Sequence, residues 1–200
     1  MNAKEFLSNL YEVIENGDAN DVRYAILEGF ENFEERVGAY SPRNKGNILN
    51  FRDEDGKTAL MRASELGKNE AVEFLIQYGA SVDLTDDRGR NALIYASKSG
   101  HHEVAETLLK AKANPNHQTK NLFTPLHYAA LYNNKEVGKV LALYGADTRV
   151  RNDRGKYAFD LNPSEEFRRE VMDGSLVYFN KGLKKVKNKA LIEDKKRRGL

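Results

Sequence analysis

Four histidines, His101, His102, His117 and His127, are the side chains of this 200-residue chain best suited to acid–base or metal chemistry near neutral pH. Their spacing supports neither. His101 and His102 are adjacent, so they cannot share a helix face as the i, i+4 pair of an H-E-x-x-H zinc site does. Cysteine is absent, which removes thiolate nucleophiles, thiolate metal sites and disulfides. There is no G-x-S-x-G elbow, no P-loop and no G-x-G-x-x-G fingerprint. Acid pairs such as Asp86–Asp87 fall in polar turn sequence and are predicted to be solvated, whereas paired-carboxylate catalysis needs a deep cleft. No catalytic set is assigned, and no cofactor, metal or small-molecule substrate is expected.

The elements that carry these residues recur. Gly56, Gly89, Leu122 and Gly155 follow one another at intervals of 33 residues. Leu60, Leu93, Leu126 and Phe159 keep the same register, as do Glu70, Glu103 and Glu136, and Ala80, Ala113 and Ala146. A fixed period of this length marks stacked copies of one supersecondary unit. Thr58, Asn91 and Thr124 precede apolar runs and are suited to cap free N–H groups, and Pro125 suits a first helical position. Leu60 with Ala63, and Val72 with Leu75 and Ile76, have helical spacing. Gly79 and Gly145 can take the left-handed conformation that ends a helix.

Thr124-Pro125-Leu126-His127-Tyr128-Ala129 resembles the T-P-L-H-x-A signature of the ankyrin repeat. Gly100-His101-His102-Glu103-Val104 and Tyr144-Gly145-Ala146-Asp147 resemble parts of its second helix and exit turn. The resemblance covers residues 53–174 and extends to a degenerate unit near residues 5–30. It implies an all-α solenoid of about four to five stacked helix-turn-helix units with atypical caps and short hairpin-like turns. The implied organisation is a capping repeat at 1–30, an insertion loop at 31–52, and repeats at 53–85, 86–118 and 119–151. A shortened capping repeat at 152–174 and a basic amphipathic tail at 175–200 complete it. The resemblance also implies a non-enzymatic protein-binding scaffold, with His127 tying neighbouring turns together.

Departures from the pattern carry further expectations. Phe30 to Val37 can prolong the first unit's second helix, and the rest of the insertion reads as loop, either a binding element or an inert excursion. Leu122, Asn133 and Lys112 stand where the family prefers Gly, and Leu122 predicts an altered turn. Asp160 to Leu161 reads as a clipped helix, with Ser164 capping a new one.

Residues 181–200 hold nine Lys or Arg against two acids, a net of +7, so residues 1–180 carry −5 of the overall +2. Leu176, Phe179, Leu183, Val186 and Ala190 step by three and four around lysines. Three readings are open: a helix packing this stripe on the last repeat, contact with an anionic membrane, or contact with nucleic acid phosphate. The segment Met1 to Leu7 is unlike a secretory signal and no run of eighteen apolar residues occurs, so a cytoplasmic location is expected, with signal-less export open.

In the family, ligands lie against a concave side made by turn tips and first helices. Carried over by position, the candidate contacts are Lys57, Leu66, Arg88, Arg90, Phe123, Leu131, Tyr132 and Arg154. Phe123, Leu131 and Tyr132 place apolar groups where solvent is usual, beside arginines, an interface-like composition. The other reading packs Leu131 and Tyr132 against the turn at Leu122. The partner expected is another protein.

Overall fold

The structure, a computed structural model, describes the backbone of residues 3–37, 48–162 and 164–198 and the side chains of residues 4–29, 48–162 and 164–182. All regular structure among these residues is helical. Five hairpins follow in chain order: α1 (Ala3–Asn16) with α2 (Ala19–Val37), α3 (Ala59–Leu66) with α4 (Asn69–Gln77), α5 (Ala92–Ser99) with α6 (His102–Lys110), α7 (Pro125–Leu131) with α8 (Lys135–Leu143), and α9 (Ala158–Leu161) with α10 (Glu165–Arg198). The first helices touch one another in a row, α1 to α9, and the second helices form a parallel row, α2 to α10. The insertion expected at 31–52 begins as the end of α2, and its residues 38–47 lie outside the described residues.

The caps are local. Thr58, Asn91 and Thr124 each accept a hydrogen bond from the backbone N–H three residues on. Gly67 and Gly100 end α3 and α5 in the left-handed region, and Asn133 does the same after α7. Between the rows lies one continuous core. Leu60, Leu93 and Leu126 from the first helices and Leu75, Leu108 and Leu141 from the second are buried. Ala63, Ala96 and Ala129 have no exposed surface, so their small side chains set the close spacing of the first row.

A hairpin-like turn, here called a finger, precedes each of α3, α5, α7 and α9. Its closing bonds repeat: Asp53, Asp86, Thr119 and Asn152 donate their N–H to the carbonyls of Lys57, Arg90, Phe123 and Lys156. Adjacent fingers are joined by the Lys120 N–H to the Arg88 carbonyl and the Asp153 N–H to the Asn121 carbonyl, both 3.2 Å. The altered turn expected at Leu122 is not found. Leu122 takes φ 58°, close to the 76° of Gly56 and Gly89, and its N–H bonds the Thr119 carbonyl at 2.9 Å as the glycines bond their equivalents. Its neighbours hold a leucine in a conformation costing about 1–2 kcal/mol.

The C-terminal helix also differs from expectation. Ser164 caps it, with Phe167 N–H donating to Ser164 Oγ at 3.3 Å. The helix then runs through Gly174 without a break. The face packed on α8 consists of Phe167, Val171, Gly174 and Tyr178. A Cβ at Gly174 would stand 2.6 Å from the Lys139 carbonyl oxygen, so this glycine permits close approach of two helices. Of the three readings of the Leu176 stripe, packing on the last repeat is not found where the stripe is described: Leu176 is 59% and Phe179 62% exposed. Leu183, Val186 and Ala190 lie outside the described side chains.

Two substitutions at one register position test the finger geometry. Gly89→Ala is expected to cost about 1–2 kcal/mol, from the left-handed backbone alone. Its Cβ would also press on the Lys120 backbone nitrogen at 3.0 Å. Leu122→Gly is expected to gain up to about 1 kcal/mol, the strain relieved less the entropy of glycine. Urea denaturation midpoints measure both, and effects of equal sign would contradict this account.

Candidate protein-binding face

One side chain at the foot of each finger organises the face formed by fingers and first helices. Asp53 Oδ1 accepts from the N–H groups of Asp55 and Lys57, Asp86 Oδ1 from Arg88 and Arg90, and Asn152 Oδ1 from Arg154 and Lys156, all at 2.8–3.0 Å. In the remaining finger, Thr119 Oγ1 accepts from the Phe123 N–H at 3.1 Å. Asp86 is therefore not the solvated acid the polar run suggests. It is 3% exposed, and its second oxygen accepts from Tyr95 Oη at 2.8 Å and Arg90 Nε at 2.7 Å. Burial opposes its charge, but the hydrogen bonds from Arg90, Tyr95 and Arg88 outweigh that and hold the carboxyl below its ordinary range. Burial, then Asp86, push the Tyr95 hydroxyl up, so it stays protonated as a donor.

Cations surround this pair. The Tyr95 ring meets both Lys57 Nζ, 4.9 Å from its centroid, and the Arg90 guanidinium, 4.8 Å from it. Lys57 Nζ also pairs with Glu65 Oε2 at 2.9 Å, and Glu65 accepts from Arg62, which is bound to Glu15 as well. Lys57 and Arg90, candidate contacts from sequence, thus have their charges matched within the protein. Arg88 and Arg154 are exposed, with no side-chain partner among the described residues.

The third repeat presents a different surface. Phe123 is half-buried, its ring centroid 5.5 Å from His127 and 5.6 Å from Tyr128. Tyr132 lies one helical turn beyond Tyr128, so Phe123, Tyr128 and Tyr132 form a row along α7. Leu131 and Tyr132 are each 49% exposed, and Leu122 is 44% exposed, which excludes the reading that buries them together. Leu66, in the same register as Tyr132 but two repeats earlier, is 36% exposed. Sequence reasoning missed Tyr128, although Tyr95 and Tyr128 lie 33 residues apart and both follow the finger foot by nine.

Three of the histidines serve architecture, and His102 is exposed at the start of α6. His127 is buried; Nε2 faces the Lys156 carbonyl in the next finger at 3.0 Å, while Nδ1 faces the Thr124 hydroxyl at 2.7 Å and N–H at 3.2 Å. This network places the proton on Nε2. His101 Nε2 meets the Glu65 carbonyl at 3.1 Å, and Asn134, in the same register, donates to the carbonyls of Ser97 and Lys98. His117 Nε2 meets the Gly89 carbonyl at 2.9 Å. Among the described residues no three His, Asp or Glu converge to hold a metal ion.

A family profile described as ankyrin repeats (3 copies) matches residues 10–119 and 89–152, more than half of the chain. The protein belongs to the ankyrin-repeat family. No curated protein sequence matches it significantly. Ankyrin repeats are generally protein–protein interaction modules and typically non-enzymatic scaffolds. The finger-foot bonds, the stacked hairpins and the His127 bridge are how this ankyrin chain builds such a module. Among the described residues no helix is long and apolar enough to cross a membrane.

Two outcomes follow. Burial lowers the pKa of His127, against the pull of the Lys156 carbonyl, so it is neutral when folded. The unfolded histidine takes up its proton near pH 6.5. The stabilising contribution is therefore complete above about pH 6.5 and lost as pH falls from there through the folded value. His127→Asn is expected to cost about 1–2 kcal/mol at neutral pH and to flatten the decline between about pH 6.5 and 5, read by urea titration. Asp86→Asn, which leaves Arg90 without its charge partner, is expected to cost about 2 kcal/mol, whereas Asp87→Asn at the exposed neighbour changes stability by less than about 0.5 kcal/mol.

Proposed function

We propose that this ankyrin-repeat protein binds another protein through its concave face, with the third repeat at the centre. The observation that carries this reading is the row Phe123–Tyr128–Tyr132 with Leu131 beside it, half-exposed aromatic and aliphatic surface on a rigid scaffold. Large side chains held in place lose little entropy on binding and make effective hot spots. Arg88 and Arg154, on the flanking fingers, are exposed guanidinium groups with no side-chain partner among the described residues. The partner this surface suits offers apolar side chains to α7 and carboxylates to the fingers. Leu66 is a second apolar contact, two repeats or roughly 20 Å away at helix-packing spacing, so an extended segment fits better than a single knob. Lys57 and Arg90 contribute stiffness more than attraction, because Glu65 and Asp86 already neutralise them.

Leu131→Ser/Tyr132→Ala tests the placement. Both positions are exposed, so the double variant is expected to melt like the parent to within about 0.5 kcal/mol. Affinity purification with quantitative mass spectrometry should show at least about 30-fold lower recovery of the parent's specific partner, the loss corresponding to a hot-spot cluster. Equal recovery by a folded variant rejects the third repeat as the centre.

A further inference from the structure

The last helix outruns the body on which it packs. The second helices α4, α6 and α8 have nine residues each, but α10 has 34. Its contact with α8 and the turn that follows runs from Phe167 to Tyr178, whose ring closes over Gly145 in that turn. About 20 residues of helix follow Tyr178, roughly 30 Å at the α-helical rise. The described side chains at 179–182 are all exposed.

On the side of α10 away from α8, Met172, Leu176 and Phe179 step by four and three residues, each more than half exposed. They form an apolar row with no covering element among the described residues. The row leads into a segment with Lys at 181, 184, 185, 187 and 189 and an unbroken Lys195-Lys196-Arg197-Arg198 run. Like charges three and four apart in a helix repel. Gly182 further weakens a helix standing alone in water. The row and the charge are both relieved by a surface that is negative outside and apolar beneath. Nucleic acid matches the charge and leaves the row wet. A second copy of this helix covers the row and doubles the repulsion.

We propose that α10, from Met172 onward, docks on an anionic lipid bilayer. Met172, Leu176 and Phe179 enter the headgroup boundary and the basic segment meets acidic headgroups. Residues 1–180 carry a net −5, so the body adds no attraction to an acidic surface and the contact falls to the C-terminal helix. This proposal is independent of where on the repeats a protein partner sits.

The test uses the full chain in co-sedimentation with vesicles of phosphatidylcholine, alone or with about 30% phosphatidylserine, at low and high salt. The expected result is binding to the acidic vesicles only, weakened by salt. Leu176→Asp/Phe179→Asp and Lys184→Glu/Lys185→Glu should each weaken it roughly ten-fold or more. Circular dichroism melts confirm that both variants keep the fold. Absence of binding to acidic vesicles at low salt overturns the proposal. So does parent-like binding by Leu176→Asp/Phe179→Asp, since charge alone would then suffice. Tighter binding to an oligonucleotide than to vesicles, or a dimer that the Asp variant abolishes, would assign the helix to those occupants instead.

Discussion

Each helical hairpin here leaves one broad apolar side that only its neighbours can cover. Helices of seven to nine residues, such as α4 to α8, are too short to persist in water by themselves. Stacking supplies what length does not: Leu60, Leu93 and Leu126 are sealed by the units before and after them. Hydrogen bonds then fix the spacing. His101 and Asn134 reach back to carbonyls ending the preceding first helix, and His127 reaches forward to the next finger. Every tie joins adjacent units, so rigidity propagates along the stack with no distant contact required.

The repeat, its caps and its core were legible because recurrence at a fixed interval exposes them. Three features were not. Leu122 keeps a glycine-like turn because the Thr119 hydroxyl and the two flanking fingers determine the backbone there, outweighing one residue's preference. Asp86 reads as a solvated turn acid until its partner, nine residues on, is seen to close over it. The C-terminal helix contains two rows at helical spacing, Phe167–Val171–Gly174–Tyr178 and Met172–Leu176–Phe179. Periodicity identifies both and cannot choose which meets the body. Gly174 decides it, since only a residue without a side chain fits against the α8 backbone.

The binding face shows a similar division between types and roles. Residue type alone groups Lys57, Arg88, Arg90 and Arg154 as cations. Their surroundings separate them: Lys57 and Arg90 contact the Tyr95 ring and are neutralised by carboxylates, while Arg88 and Arg154 are exposed with no side-chain partner among the described residues. The first two repeats are thus stiffened by internal ion pairs, and the third carries the apolar surface. Leu122, Leu131 and Tyr132, each more than two-fifths exposed, all lie in that third repeat.

The single-turn helix α9 changes how the last unit is held. Leu161 occupies the register place of Tyr95 and Tyr128, and the buried Asn152 Nδ2 at the foot of this finger has no hydrogen-bond partner among the described residues. With a first helix of four residues against seven or eight in the three units before it, this unit presents the least first-helix surface of the stack and leans instead on its long second helix.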